Sequence, residues 1–307
     1  MRKPTVYIHT NVKQMIGARL AAYSMKTRSR SPDSFDVDVI CAEHVELLQS
    51  FHGQSYLREG RRVRWDIHDL QSFTPLRFLP PQLNGYEGRA IITDPDVFAV
   101  GDVMELLARD MKGKSILCKK VPASASGPAY FASSVMLLDC SKLKHWRWDE
   151  QIYELFDGKF DYRDWVSLRL EDPQTIGELE AEWNDFDRLT SETRLLHNTG
   201  RFTQPWKTGL PIDFVSGSLP KASDRKWGVV PRGWIWKAKS VLKGEDYLPP
   251  DRYQRHPDPV QERFFMRLLR EGLENGVVTE EFLTSEVEQK HVRPDIFKVL
   301  RDVGATA

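Results

Sequence analysis

Cysteine is scarce in this 307-residue sequence: Cys41, Cys118 and Cys140 stand singly, with no C-x-x-C pair. That leaves no pattern for a disulfide framework, and their place in or at the ends of apolar runs predicts buried, reduced thiols. No run approaches the roughly 18 uncharged apolar residues of a membrane-spanning helix. The opening MRKPTVYIHT lacks the unbroken apolar stretch of a signal peptide. A cytoplasmic protein is expected. Excess charge of either sign is also missing, because 44 basic residues cancel 44 acidic ones, so no global field recruits nucleic acid. Internal repeats and low-complexity segments are absent. What is present, 40% hydrophobic and 29% charged residues, suits one large α/β domain, or such a domain with a helical extension.

The first 140 residues alternate between two periods. Val6–Thr10, Asp36–Ala42, Arg61–Ile67, Arg89–Thr93, Ser115–Lys119 and Tyr130–Asp139 read as strands. Asn11–Arg28, Glu43–Leu57 and Val100–Met111 read as helices, the last capped by Asp102. This alternation predicts an α/β fold with a mostly parallel central sheet covered on both faces. Beyond Asp139 the pattern turns helical and irregular, with tryptophans at 146, 148, 165, 183 and 206. After the proline- and charge-rich Leu248–Pro259, a helix is predicted over Val260–Asn275. Asp258 is its cap, Pro259 suits its first position and Gln261 has capping-box spacing. Residues 1–215 are expected to form the working domain and 216–307 a helical C-terminal extension packed on it.

Chemistry concentrates at Asp94-Pro95-Asp96, directly after the apolar Ala90–Thr93. Ligands of open α/β sheets gather beyond the carboxyl ends of strands. Two carboxylates one residue apart there can face a hard divalent cation bridging to a diphosphate. The triplet alone is weak, since 24 aspartates give about two such triplets by chance and three occur. Position favours the middle one over Asp36/Asp38, in or at the entrance of a strand, and Asp185/Asp187. Mutual repulsion of the two carboxylates predicts that Asp94→Asn costs little stability.

Further elements follow in order: TPLRFLPPQL with Arg77, DPDVFAVGDVMELL from Asp94, FASSVMLLD from Phe131, Asp164-Trp165-Val166-Ser167-Leu168, Trp183-Asn184, and HNTGRFTQPW from His197 to Trp206. Across about 200 residues this series resembles glycosyltransferase family 8. The resemblance implies a GT-A nucleotide-sugar fold and a retaining, metal-dependent hexosyltransferase. It implies Mn²⁺ or Mg²⁺ on Asp94, Asp96 and His197. It also implies a nucleotide diphosphate sugar donor, expected to be a UDP-sugar, and an acceptor hydroxyl of unspecified glycan, lipid or small-molecule origin. Arg77 and Asp164 would be catalytic, the first easing charge on the diphosphate and the second steadying the sugar. Donor binding would fall to Thr10, Asn11, Arg77, Pro95, Ser133, Gly200, Arg201, Gln204 and Lys207. The chain departs from the pattern at Gln204, where the family has lysine, at Trp165, where it has glutamine, and at Ala132, where it has asparagine. Arg201 or Lys207 would supply the missing phosphate charge.

Bland readings stand beside these. A lone histidine is more often satisfied within a core, Gly200 is equally a turn residue, and Asn11 equally a helix cap. A non-catalytic nucleotide-sugar-binding scaffold is the alternative outside enzymes. A nucleotidyltransferase is weaker, because HTNVKQMIGARL offers only Gly17 for a phosphate loop. Lys221–Lys243, with Trp227, Trp234 and Trp236, reads as an aromatic clamp onto the core; peripheral contact with an anionic inner membrane face is its alternative.

Overall fold

The run TVYIHT is β-rich and sets Tyr7 on one side of its pleat with Val6 and Ile8 on the other, and it is buried on both faces as the inner strand β1, Thr5–Thr10. In the computed structural model, residues 3–123, 129–214, 225–226, 230–231 and 251–305 are described. β1 lies between β2 (Asp36–Cys41) and, across a helix α1 (Met15–Thr27) and further connections, a strand at Arg89–Thr93. Between them come a short helix α2 (Glu46–Ser50), a hairpin β3 (Ser55–Arg58) and β4 (Arg61–Arg64), a tight turn at Thr74–Phe78 and a short helix α3 (Pro80–Leu83). The strand Arg89–Thr93 is therefore β5. It is followed by β6 (Val97–Ala99), α4 (Val103–Leu107), β7 (Ile116–Val121) and β8 (Tyr130–Asp139). Two short helices α5 (Trp148–Asp157) and α6 (Tyr162–Val166) lead to β9 (Ile176–Leu179), β10 (Asp185–Phe186) and β11 (Leu195–His197).

The main sheet has order β2-β1-β5-β8-β7-β9. Only β8 runs against the rest, so the mixed α/β sheet is mostly parallel, as expected. A second sheet, β10-β11-β6, extends the carboxyl edge. Strand alternation assigns the two faces: Ala90 and Ile92 enter one core with Trp146, Trp148 and Trp165, while Ile91 enters the other with Val103, Leu106 and Trp183.

Three helices at the C-terminal end, α7 (Pro259–Glu274), α8 (Glu280–Glu288) and α9 (Ile296–Ala305), complete the covering of α1. Phe265, Leu268 and Leu269 share a core with Ile8, Ile16, Leu20 and Trp206. Asp258 caps α7 by accepting the Val260 N–H, as its spacing predicts. No helix among the described residues is long and apolar enough to cross a membrane.

Several expectations are corrected. Glu43–Leu57 is not one helix: it breaks at Phe51 and enters β3, because Gly53 takes a positive φ and Trp65 pairs with Gln54 across the hairpin. Beyond Asp139, where a helical and irregular pattern is expected, the described residues include the further strands β9, β10 and β11. Lys221–Lys243, with its three tryptophans, lies outside the described residues except for 225–226 and 230–231, which pair as a short antiparallel ladder.

Candidate metal centre and cleft

The site arises from where chain leaves the sheet. β5 ends at Thr93, so Asp94 emerges at its carboxyl end. Because β8 runs antiparallel to β5, with Thr93 opposite Val135, the preceding Ser134 and Ser133 extend past that same end. The Asp94 N–H donates to the Ser134 carbonyl at 3.0 Å. On its other side β8 bulges: Cys118 faces Met136 but Lys119 faces Ala132, leaving Ser133–Val135 unmatched. Bulges re-aim side chains beside functional sites. Register brings in the third group, since β11 pairs with β6 so that His197 sits opposite Val97, one residue beyond Asp96. The Asn198 N–H donates to the Asp96 carbonyl at 3.1 Å and fixes this crossing.

Asp94, Asp96 and His197 thus offer two carboxylate oxygens and an imidazole nitrogen, all within 4.8 Å of one another. His197 Nδ1 lies 2.8 Å from Asn184 Oδ1, and Asn184 Nδ2 donates to Ser134 Oγ at 3.0 Å. With its amide oriented in this way, Asn184 accepts the Nδ1 proton and leaves the Nε2 lone pair toward the acids. Nε2 is 3.4 Å from Asp96 Oδ1 and 4.0 Å from Asp94 Oδ2. An imidazole nitrogen beside two carboxylates is a donor set that fits a small divalent ion. Burial opposes an imidazolium here, but Asp96 and Asp94 outweigh it and raise the His197 pKa.

Asp94 is held on its inner side as well. Arg77 Nη2 contacts Asp94 Oδ1 and Oδ2 at 2.7 and 2.5 Å, and Nε contacts Oδ1 at 3.0 Å. His9 Nε2 lies 2.8 Å from Asp94 Oδ1, while its buried Nδ1 has no partner. Burial would raise the Asp94 pKa, but the Arg77 guanidinium and His9 hold it well below the ordinary carboxylate range. Burial itself lowers the pKa of His9, despite Asp94. Arg77 Nη1 also donates to Ser133 Oγ at 2.9 Å, which donates in turn to the Val166 carbonyl at 2.6 Å. Gln204 Nε2 donates to Asp96 Oδ2 at 3.3 Å, and Gln204 Oε1 accepts from Gln14 Nε2 at 3.1 Å.

Of the residues anticipated from sequence, Arg77, Asp94, Asp96, Ser133, His197, Arg201 and Gln204 line one cleft of 310 Å³. The others do not line it. Thr10 and Pro95 are buried behind it, and Asn11 braces the neighbouring loop through Asp69, Leu70 and Ser72. Gly200 packs against Thr203, where a Cβ would collide with the hydroxyl, and donates to Asp187 at 3.3 Å. Asp164 pairs with Arg169 at 2.9 Å at the surface. Lys207 is fully buried and pairs with Asp213 at 2.9 Å. Trp165 belongs to the core, stacked on Phe78 at 4.4 Å. Sequence reasoning passed over His9, Gln14, Arg58, Arg163 and Phe186. A single histidine in a strand carries no spacing signal, and the arginines belong to elements whose pairing the sequence does not display.

No family model and no curated protein matches the chain. It is similar to the solved structure of the glycosyltransferase GlyE of Streptococcus pneumoniae TIGR4, with 17% identity and a TM-score of 0.47 over 78% of this chain. The chain spans only 64% of the length of that protein. It is also similar to the galactosyltransferase LgtC solved with donor and acceptor sugar analogues, at 15% identity, TM-score 0.43, covering 80% of this chain and 98% of that one. Mouse xyloside xylosyltransferase 1 aligns at 13% identity and TM-score 0.42, over 64% of this chain and 97% of that one.

Proposed function

We propose that the chain is a metal-dependent, retaining hexosyltransferase using a nucleotide diphosphate sugar, with UDP-sugar as the donor class. The observation that carries this reading is the convergence of Asp94, Asp96 and His197 in a cleft that also presents Arg77. A bound Mn²⁺ or Mg²⁺ would neutralise charge developing on the leaving diphosphate. Arg77 lies against Asp94 and Ser133, where its guanidinium can share itself between the carboxylate and a phosphate oxygen. Gln204 and Gln14 keep Asp96 oriented. In the reaction the bond from the anomeric carbon to the phosphate oxygen breaks. A bond to the acceptor oxygen forms on the same face, and the acceptor proton passes to the leaving phosphate. The domain assignment, 1–215 for catalysis with 216–307 as a helical extension, is part of the same proposal.

A non-catalytic nucleotide-sugar binder is the second reading. One observation favours it: Asp164 is turned to Arg169, and Asp94 and Asp96 are the only carboxylates among the described residues lining the cleft.

Calorimetry of UDP with Mn²⁺, and again with a chelator, tests the first reading; affinity is expected to fall at least roughly tenfold without metal. Asp94→Asn should abolish Mn²⁺ binding, while Asp36→Asn, on the edge strand β2, should stay within a few-fold of the parent. The reverse result sinks the assignment. Slow hydrolysis of UDP-sugar by the parent separates transferase from binder.

A further inference from the structure

Beside the metal cleft lies a second chamber of 570 Å³, lined by the β3–β4 hairpin, residues 69, 71 and 72, and residues 162, 163 and 201. The two share five lining residues: Arg58, Gln71, Tyr162, Arg163 and Arg201. The neck between them therefore carries three guanidiniums and no carboxylate among the described residues. They come from three separate elements: β3, α6 and the loop after β11. The Arg58 guanidinium lies 5.1 Å over the Tyr162 ring, which holds it at the neck. Burial, then the Arg58 charge, lowers the pKa of Arg201, as expected when like charges are gathered. Glu59, Asp66 and Asp69 line only the second chamber, and Asp69 attracts Arg201 from there.

Gathering three guanidiniums is unfavourable unless an anion joins them. One guanidinium satisfies a carboxylate by itself, through two parallel bonds. A phosphate group, with about −1.5 to −2 charges and three acceptor oxygens, can engage all three. The second chamber continues past the neck with Tyr56, Val63 and Trp65 beside polar Asp66 and Ser72, a mixed wall that suits a sugar ring. Its size falls in the range of small-molecule sites, roughly 300–1,000 Å³. Resting on the donor reading above, which fills the metal cleft, we propose that the second chamber takes the acceptor. The acceptor is a phosphorylated sugar whose phosphate is held by Arg58, Arg163 and Arg201 at the neck.

Calorimetric titration of the full chain with glucose 1-phosphate, glucose 6-phosphate, glucose and glucuronate, first without nucleotide, reads the site directly. At least one sugar phosphate should bind tenfold or more tightly than glucose and glucuronate. Arg58→Gln and Arg163→Gln should each weaken it by roughly tenfold, the scale of one charge-assisted contact, whereas Arg147→Gln, paired with Glu150 at the surface, should not. Repeated at saturating UDP and Mn²⁺, sugar-phosphate binding should persist, and the neck variants should leave UDP affinity within a few-fold. Displacement by UDP, or equal loss of UDP affinity in the neck variants, overturns the proposal and gives the neck to the donor. Indifference to the phosphate also overturns it. Failure of the donor reading is seen separately, as absent Mn²⁺-dependent UDP binding, and would withdraw the acceptor assignment even if the sugar phosphate still bound.

Discussion

At the scale of single residues, the site is governed by what lies behind each ligand. Asp94 is matched by Arg77 and His9, so its charge is compensated inside the protein before any cation arrives. The expectation that Asp94→Asn would relieve repulsion and cost little is therefore reversed. The change leaves Arg77 without its paired carboxylate in a nearly buried position, and a loss of about 2 kcal/mol is expected, read as the midpoint of chemical denaturation. Lys207 makes a sharper contrast. It is fully buried, its Nζ meets Asp213 Oδ2 at 2.9 Å, and the Tyr253 hydroxyl donates to Asp213 Oδ1 at 2.5 Å. Lys207→Met strands a half-buried carboxylate, which should cost roughly 3 kcal/mol while leaving UDP affinity unchanged. Adding Asp213→Asn should recover much of that stability. Unaltered stability in the single variant, with weakened UDP binding, would return Lys207 to the donor site.

At the scale of elements, α1 sets the position of the acidic turn. A Cβ on Gly17 would lie 2.7 Å from the Pro95 carbonyl oxygen and 3.5 Å from Trp206. Gly17→Ala must push α1 or the Asp94–Asp96 turn aside. We expect a loss of about 1–3 kcal/mol and a several-fold drop in Mn²⁺ affinity, measured by thermal melting and by metal titration. What the sequence displays at this scale follows from length and burial. β1, β5 and β8 are buried along most of their length and were legible to within a residue, and Asp102 and Asp258 cap the helices they were read to cap. β9, β10 and β11 have four, two and three residues, too few for a period to show. The reversal of β8 is equally invisible, since direction depends on a partner rather than on pattern. The candidate metal ligands were readable because the two aspartates follow an apolar strand and His197 opens a punctuated loop. His9 was not, because only the register of β1 against β5 brings its strand beside the one that leads to Asp94.

At the scale of the whole molecule, ionisable groups whose titration the fold shifts decide the response to acid. In Asp94 and Asp213, burial is outweighed by basic partners; in Asp295 the Arg293 contact leads. All three are held below the ordinary carboxylate pKa. A depressed folded pKa gives stability that is complete above the unfolded value, near 4, and lost as pH falls through the folded one. His9, lowered by burial, acts likewise below about 6.5, whereas His197 and His145, raised by their carboxylate neighbours, contribute below that pH and lose their contribution above it. The histidine contributions oppose one another. The melting temperature should therefore be nearly level from pH 7 to about 5 and fall steeply below about 4. A steady decline beginning at pH 6.5 would show that His9 dominates.

The register that makes the centre also fixes when it can exist. Gln204 and Asp96, joined by a hydrogen bond, stand 108 positions apart along the chain, and Arg77 and Ser133 stand 56 apart. Closing such spans costs entropy that local contacts do not return, so pairings of this kind come late in folding. The crossing of β6 with β11 is short and distant in sequence, and without it His197 never meets the aspartates. A chain still missing that last closure has its sheet but no place for a cation. On the proposed function, nascent or partly folded copies would thereby be kept from sequestering metal and nucleotide.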